Sequence, residues 1–378
     1  MKARSKKVGI IGIVAIVLLI AIILVVDILC GTYASLITLY FRGGNVETNY
    51  SVSQADAYKA SGDFTVKEAA EGLVMLKNDD DGVLPLEGVS KVNLFGMLTA
   101  KQIFMGTGSA GGFNWDDDSF LYLDAAFKEA NIEANPDLWN FYKEQEGNAS
   151  GAAGSVTDMQ GSTHSIIELP LDAEGYGEVL EGAKDYSDTA IVVVGRAGGE
   201  GSDAVMEMNP YEASGRGGMT KYNVGGDAGK HYLELMDVEL ELIDYVKSNY
   251  ENVILLVNTP MAIELGFVDE VLDTGEMSEY NGGTAVEGAG DIDAALWIGL
   301  PGSTGNRGVV QVLTGEVSPS GRLPDTWAYE VESAPSYYNF GDFTYDISGL
   351  TGTQNETIKY VHYREGIYVG YRWYETAN

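Results

Sequence analysis

Apolar residues fill the chain without a break from Val8 to Val26, the longest such run in its 378 residues. At about 1.5 Å per residue the run spans most of a ~30 Å hydrocarbon core, which predicts a membrane-crossing helix. Asp27 interrupts it, and a second apolar stretch from Ile28 to Phe41 extends the predicted membrane segment to residues 8–41. Residues 43–62 are polar and small and read as a linker. From Phe64 the pattern turns globular. The spacing predicts a helix over Val66–Leu76, with Glu68 and Glu71 on its polar side. Short apolar runs predict strands at Lys91–Gly96, Asp188–Gly195, Asn252–Asn258 and Ile292–Ile298. Helical spacing falls between them, at Tyr232–Ser248, and after them, at Arg307–Leu313.

The run Ile191 to Val194 does not alternate, so both its faces are expected to be buried, as in a central strand of a parallel sheet. Strands alternating with helices predict an α/β fold, with a mostly parallel sheet covered on both faces. Two segments break the rhythm. Residues 147–163, rich in Gly, Ala, Ser and Thr, read as a surface loop, and residues 195–230 hold many glycines and no apolar period. A loop as long as the second is uncommon in a compact domain and is usually functional or disordered.

Composition narrows the function classes. A formal net charge of −33 leaves no basic surface to neutralise phosphates, so nucleic acid is not an expected partner. One cysteine, Cys30, rules out an internal disulfide framework and a cysteine-based zinc site. His164, His231 and His362 are scattered without ligand spacing and read as structural or exposed. Lys2, Arg4, Lys6 and Lys7 precede the apolar run. That run is too long for a signal-peptide core and no small-residue cleavage site follows, so residues 1–42 read as an uncleaved signal anchor. The basic flank predicts a cytoplasmic amino terminus and an extracellular globular part.

Three constellations could carry chemistry. Gly106-x-Gly108-x-x-Gly111 matches a dinucleotide fingerprint in form, but it does not abut a strand and no helix opens at Gly111. A glycine-serine loop lining a sugar pocket is the stronger reading of Gly106 to Ser109, against a plain surface turn. The second constellation is Arg196, Glu200 and Asp203 on the glycine-rich segment after the central strand. Ligands of open α/β sheets sit beyond the carboxyl ends of the strands. Cleaving a glycosidic bond needs a carboxylic acid for the leaving oxygen and a second carboxylate at the anomeric carbon. Glu200, between Gly199 and Gly201, is a candidate for the acid, against a solvent-exposed glutamate in a loop. The third, Pro301-Gly302-x-x-Gly305 followed by Gly315-Glu-Val-Ser-Pro-Ser-Gly-Arg-Leu-Pro324, fixes turns rather than chemistry.

Taken together these segments resemble glycoside hydrolase family 3, the β-glucosidase and exo-glycosidase family. The pieces stand in family order. They are Glu68-Ala-Ala-Glu-Gly-Leu-Val-Met-Leu-Lys-Asn78, Lys91 to Gly96, Gly106-Thr-Gly-Ser109, Ala190 to Asp203, Leu296-Trp-Ile-Gly-Leu-Pro-Gly302, the 315–324 run, and Tyr363-Arg-Glu-Gly-Ile-Tyr-Val-Gly-Tyr-Arg-Trp-Tyr-Glu-Thr376. The resemblance implies a six-stranded α/β sandwich domain over residues 63–347 that contributes the acid/base glutamate, here Glu200, from a loop. Asp203 would order the loop or pocket, and Arg196, Gly108 and Ser109 would border the sugar. It further implies a (β/α)8 barrel carrying an aspartate nucleophile, as a downstream or separate partner. Residues 348–378 would lead toward a fibronectin-like domain and that barrel, as in rearranged members whose sandwich comes first. None of the 378 residues matches the barrel's motifs, and the acidic, Gly-rich stretch 267–290 departs from the family pattern as an insertion. The expected activity is retaining hydrolysis of terminal β-D-glycosyl residues of an oligosaccharide or β-glucoside, without metal, nucleotide or organic cofactor. This chain would be inactive without a barrel. The alternative is a non-catalytic, membrane-anchored module that binds carbohydrate or a partner chain.

Overall fold

A computed structural model describes residues 2–34, 52–78, 82–106, 120–145, 166, 168–198, 204, 206, 208, 226–268, 292–339, 343–352 and 356–377. They fall into two compact units, Met1–Tyr58 and Lys59–Asn378.

The first unit holds helix α1 (Lys2–Thr32), in which Gly12–Thr32 is long and apolar enough to cross a membrane. Cys30 lies on it, exposed and free. The expected continuation of the apolar segment to Phe41 lies outside the described residues. Helix α2 (Gln54–Gly72) starts inside the stretch read as linker. Ser53 caps it, its Oγ accepting from the Asp56 N–H at 3.1 Å, while Asp56 supplies negative charge to the first turn. A polar composition hid this helix, because small residues with a good cap form helix as readily as linker.

The second unit is built on a six-stranded sheet in the order β1-β6-β5-β4-β2-β3. Its strands are β1 (Val74–Asn78), β2 (Lys91–Phe95), β3 (Glu133–Ala134), β4 (Thr189–Gly195), β5 (Asn252–Asn258) and β6 (Ala294–Trp297). All neighbours are parallel except β1, which runs antiparallel to β6 with Val74 opposite Trp297. β1 corrects the helix read over Val66–Leu76. The helix stops at Gly72, and Met75 pairs with Leu296 instead. A short apolar run fits either period, and here cross-strand pairing decides it.

β4 is buried at all seven positions, and β5 at every position but Asn252. Each buried Val, Ile or Leu contributes about 1.5–3 kcal/mol. Such burial demands helices on both faces. Helices α3 (Leu123–Glu129) and α7 (Asn306–Leu313) pack on each other. The others are α4 (Pro136–Gln145), α5 (Tyr176–Lys184) and α6 (Asp237–Asn249). Phe141 of α4 stacks on Tyr176 of α5 with centroids 5.0 Å apart, and the Tyr245 hydroxyl of α6 donates to Leu180 O of α5 at 3.2 Å. α6 begins at Asp237, so residues 232–236 of the helix expected from Tyr232 lie before it.

β2 is followed by β3 at one edge, and the chain then returns across β2 to form β4, β5 and β6 in succession. The strand order therefore reverses between β2 and β4. In open parallel sheets the crevice at such a reversal, outside the carboxyl ends of the strands, is where ligands bind.

Candidate active site

A glycine stands just past the end of β2 and another ends β4, and in both cases backbone crowding requires it. Gly96, just past β2, has φ +95°, and a Cβ there would lie 2.8 Å from Val193 O and 3.2 Å from Glu168 Oε2. Gly195, ending β4, would bring a Cβ to 1.9 Å from Asn258 O. The chain leaves the sheet at these two points as two long segments, 96–122 and 195–236.

The first stem crosses the carboxyl edge of the sheet and is held by amides and aromatic rings. Asn258 at the end of β5 accepts the Ile103 N–H at 2.8 Å and donates to Ile103 O at 2.9 Å and Gly299 O at 2.7 Å. Gln102 and Asn306 exchange amide hydrogen bonds of 3.0 and 2.7 Å. Phe104 stacks on Phe120 with centroids 4.4 Å apart and meets Tyr122 edge-on at 5.0 Å. Stacking closes this stem across the segment that contains Gly108 and Ser109, themselves outside the described residues.

Beneath the crevice lies a carboxyl that the sequence reading did not single out. Glu168 is buried, its Oε1 accepting from Leu169 N at 2.9 Å and its Oε2 from Met97 N at 3.1 Å. Burial, with a smaller contribution from the charge of Glu239, pushes its pKa up to about 8 against the pull of those two N–H groups. The neighbouring Tyr142 hydroxyl accepts the Gly96 N–H at 3.0 Å and shares a 2.6 Å hydrogen bond with Tyr176. A single glutamate in the run Ile166-Ile-Glu-Leu169 was the available signal, since a carboxyl among apolar neighbours is buried with them.

The second stem is held by charge. Arg196, the first residue after β4, is buried, and its guanidinium donates all five N–H groups to protein acceptors. Nε bonds Tyr232 O at 2.7 Å. One terminal nitrogen bonds Gly195 O at 2.8 Å and Glu239 Oε1 at 2.7 Å. The other bonds Glu234 O and, at 2.7 Å, Glu239 Oε2. Burial works against the charge, and the facing Glu239 carboxylate outweighs it, so the guanidinium pKa is raised. Glu239 also accepts the Met236 N–H at 2.9 Å, capping α6. The Tyr232 hydroxyl receives Ala197 N at 2.9 Å and donates to Ala197 O at 3.0 Å. Every guanidinium donor of Arg196 is thus committed within the protein, whereas the family resemblance sets it beside the sugar.

The same stem buries a small second core of Ile166, Met208, Tyr232 and Met236. His231, expected to be structural or exposed, is buried. Its Nδ1 accepts Leu233 N at 3.2 Å, and its Nε2 lies 3.4 Å from both Glu234 Oε2 and Glu264 Oε1. Burial raises the pKa of Glu234. Among the described residues no group of three or more His, Cys, Asp or Glu could hold a metal ion. Glu200 and Asp203 lie outside the described residues; in sequence they follow Arg196 by four and seven positions.

Residues 73–371 match the model of the glycosyl hydrolase family 3 C-terminal domain. The chain is 29% identical over 307 residues to a beta-glucosidase of Ruminococcus albus, covering 81% of this chain and 25% of that protein. It is 29% identical over 318 residues to beta-glucosidase A of Butyrivibrio fibrisolvens, covering 83% of this chain and 32% of that protein. Among solved structures it resembles beta-glucosidase 3B of Thermotoga neapolitana in complex with glucose, with TM-score 0.56, 24% identity and coverage of 84% of this chain and 36% of that one. A beta-glucosidase of Paenibacillus barengoltzii gives TM-score 0.51 at 24% identity, over 74% of this chain and 25% of that one. The chain thus spans about a quarter to a third of the length of these relatives.

Proposed function

Because the chain belongs to glycosyl hydrolase family 3, through that family's C-terminal domain, we propose that it supplies the acid/base half of a β-glucosidase-type active site. The observation that carries this reading is the position of the segment after β4. It leaves the sheet at the reversal of strand order, and Glu200 follows four residues after its clamped start. In this reading Glu200 gives its proton to the leaving oxygen while a carboxylate nucleophile on a barrel domain attacks the anomeric carbon. The glycosidic bond breaks and a glycosyl-enzyme ester forms. Glu200, now ionised, then removes a proton from water, whose oxygen displaces the ester with overall retention. Retention requires the two carboxyls about 5–5.5 Å apart, so the barrel docks over the crevice. Asp203 orders the same segment, Gly108 and Ser109 border the sugar from the segment after β2, and Arg196 holds the stem.

In this proposal α1 is a single-pass anchor. The basic residues Lys2, Arg4, Lys6 and Lys7 keep its start in the cytoplasm, and the glycosidase domain faces outward. The reading predicts that residues 43–378 alone fold but do not cleave an aryl β-glucoside, and that the barrel polypeptide restores cleavage. Turnover by 43–378 alone at the rate of an intact family enzyme would refute the division of labour.

A further inference from the structure

We infer that Arg196 and Glu239 are a pair of positioning residues that set the direction in which the proposed acid leaves the sheet; this deepens the acid/base reading and rests on it. Four observations support the assignment. The guanidinium joins the start of the segment, at Gly195 and Arg196, to its end at Tyr232, Glu234 and Glu239, closing 36 to 43 residues with one side chain. Its partners fix its plane as well as its place, because a planar fork with five committed donors fits only one orientation. Both side chains are buried, at 1% and 5% side-chain exposure. A buried ion pair adds little stability over a well-packed apolar pair, so its use here buys geometry. Finally, Ala197 is clamped a second time through the Tyr232 hydroxyl, which leaves only Gly198 and Gly199 between the clamp and Glu200.

The test separates positioning from folding and from the acid assignment itself. In the intact protein, with the nucleophile-bearing domain present, Arg196→Lys and Glu239→Gln are compared with wild type on two aryl β-glucosides. A dinitrophenyl leaving group needs no proton, whereas a methoxyphenyl group does. The variants are expected to lose at least ~10-fold more kcat/KM, which reports the glycosylation step alone, on the methoxyphenyl substrate than on the dinitrophenyl one. Equal losses on both substrates would overturn the inference, since a merely structural role lowers both alike. Glu200→Ala is the reference. If it discriminates between the substrates and the pair variants do not, the positioning role alone fails; if it does not discriminate, the acid assignment fails. A second readout needs no catalysis. In both variants the amides of Ala197 and residues 231–236 are expected to exchange with deuterium at least ~10-fold faster, while β4 and β5 keep their protection. Unchanged exchange at the stem would show that the pair does not hold it, and the inference would fall.

Discussion

The two stems at the mouth of the crevice solve one problem with different chemistry. The stem after β2 is closed by stacked rings and side-chain amides, from Phe104 on Phe120 to Asn258. The stem after β4 is closed by a buried ion pair and the carbonyls around it. The first stem shares its fixing between broad ring contacts and the directed bonds of Asn258, so no single group sets its course. A saturated guanidinium dictates direction, and it fails abruptly when either partner is lost. The difference fits the proposed division of labour, in which the first segment borders a sugar and the second must aim a proton.

The largest effect expected of this contrast is the loss of one member of the buried pair. Arg196→Ala or Glu239→Ala should cost about 3–5 kcal/mol in urea unfolding, because the remaining charge stays buried without its partner. The double replacement Arg196→Met/Glu239→Leu should cost far less than the sum of the two single losses, and additive losses would break the account of the stem.

The aromatic stem should respond more gently. Phe104→Ala should cost about 3 kcal/mol by the same assay, and Phe104→Leu about 1 kcal/mol. A leucine variant as damaging as the alanine variant would mean that the first stem, like the second, depends on one exact geometry, and the contrast would fall.

Glu168 sharpens the comparison from below. Its folded pKa of about 8 lies above its ordinary 4.5. The folded state therefore holds the proton more tightly than the unfolded one. Stability linked to this group is fullest below the unfolded pKa and is lost as pH rises toward 8. Glu168→Gln should flatten that slope, so that its stability relative to the native protein improves as pH rises from about 5 to about 8. A variant that keeps the wild-type slope in a series of melts would assign the slope to another group. The smallest effect is expected at the exposed pair Arg307–Glu129, where Arg307→Ala should cost under about 1 kcal/mol and less at high salt. A larger cost would undo the distinction between buried and exposed pairs.

The sheet was legible in the sequence where burial is complete. Ile191 to Val194 and Val253 to Val257 lack alternation because both faces are covered, and the boundaries read for Asn252–Asn258 are those of β5. Edge elements were not legible. β3 has only two residues and β1 shares its apolar residues with a helical spacing, so only pairing with a neighbour defines them. Helices α3, α4 and α5 bury apolar stripes such as Leu138, Phe141 and Tyr142 or Tyr176, Leu180 and Ala183, but at 7, 10 and 9 residues they are too short for that spacing to stand out among the polar residues around it. The site divides in the same way. Gly195 and Arg196 were legible because a strand ends there in glycine and charge, but nothing local showed that the guanidinium donors of Arg196 are committed within the protein. Its partner Glu239 stands 43 residues away, and no local pattern pairs the two.

The central claim is that Glu200 is the acid/base, and azide tests it most directly. In the intact protein, Glu200→Ala should still form the glycosyl-enzyme from dinitrophenyl β-glucoside, whose leaving group departs without a proton. Azide needs no general base, so it should accelerate turnover and appear in the product as β-glucosyl azide. Turnover that azide leaves unchanged, with no glycosyl azide formed, would contradict the account.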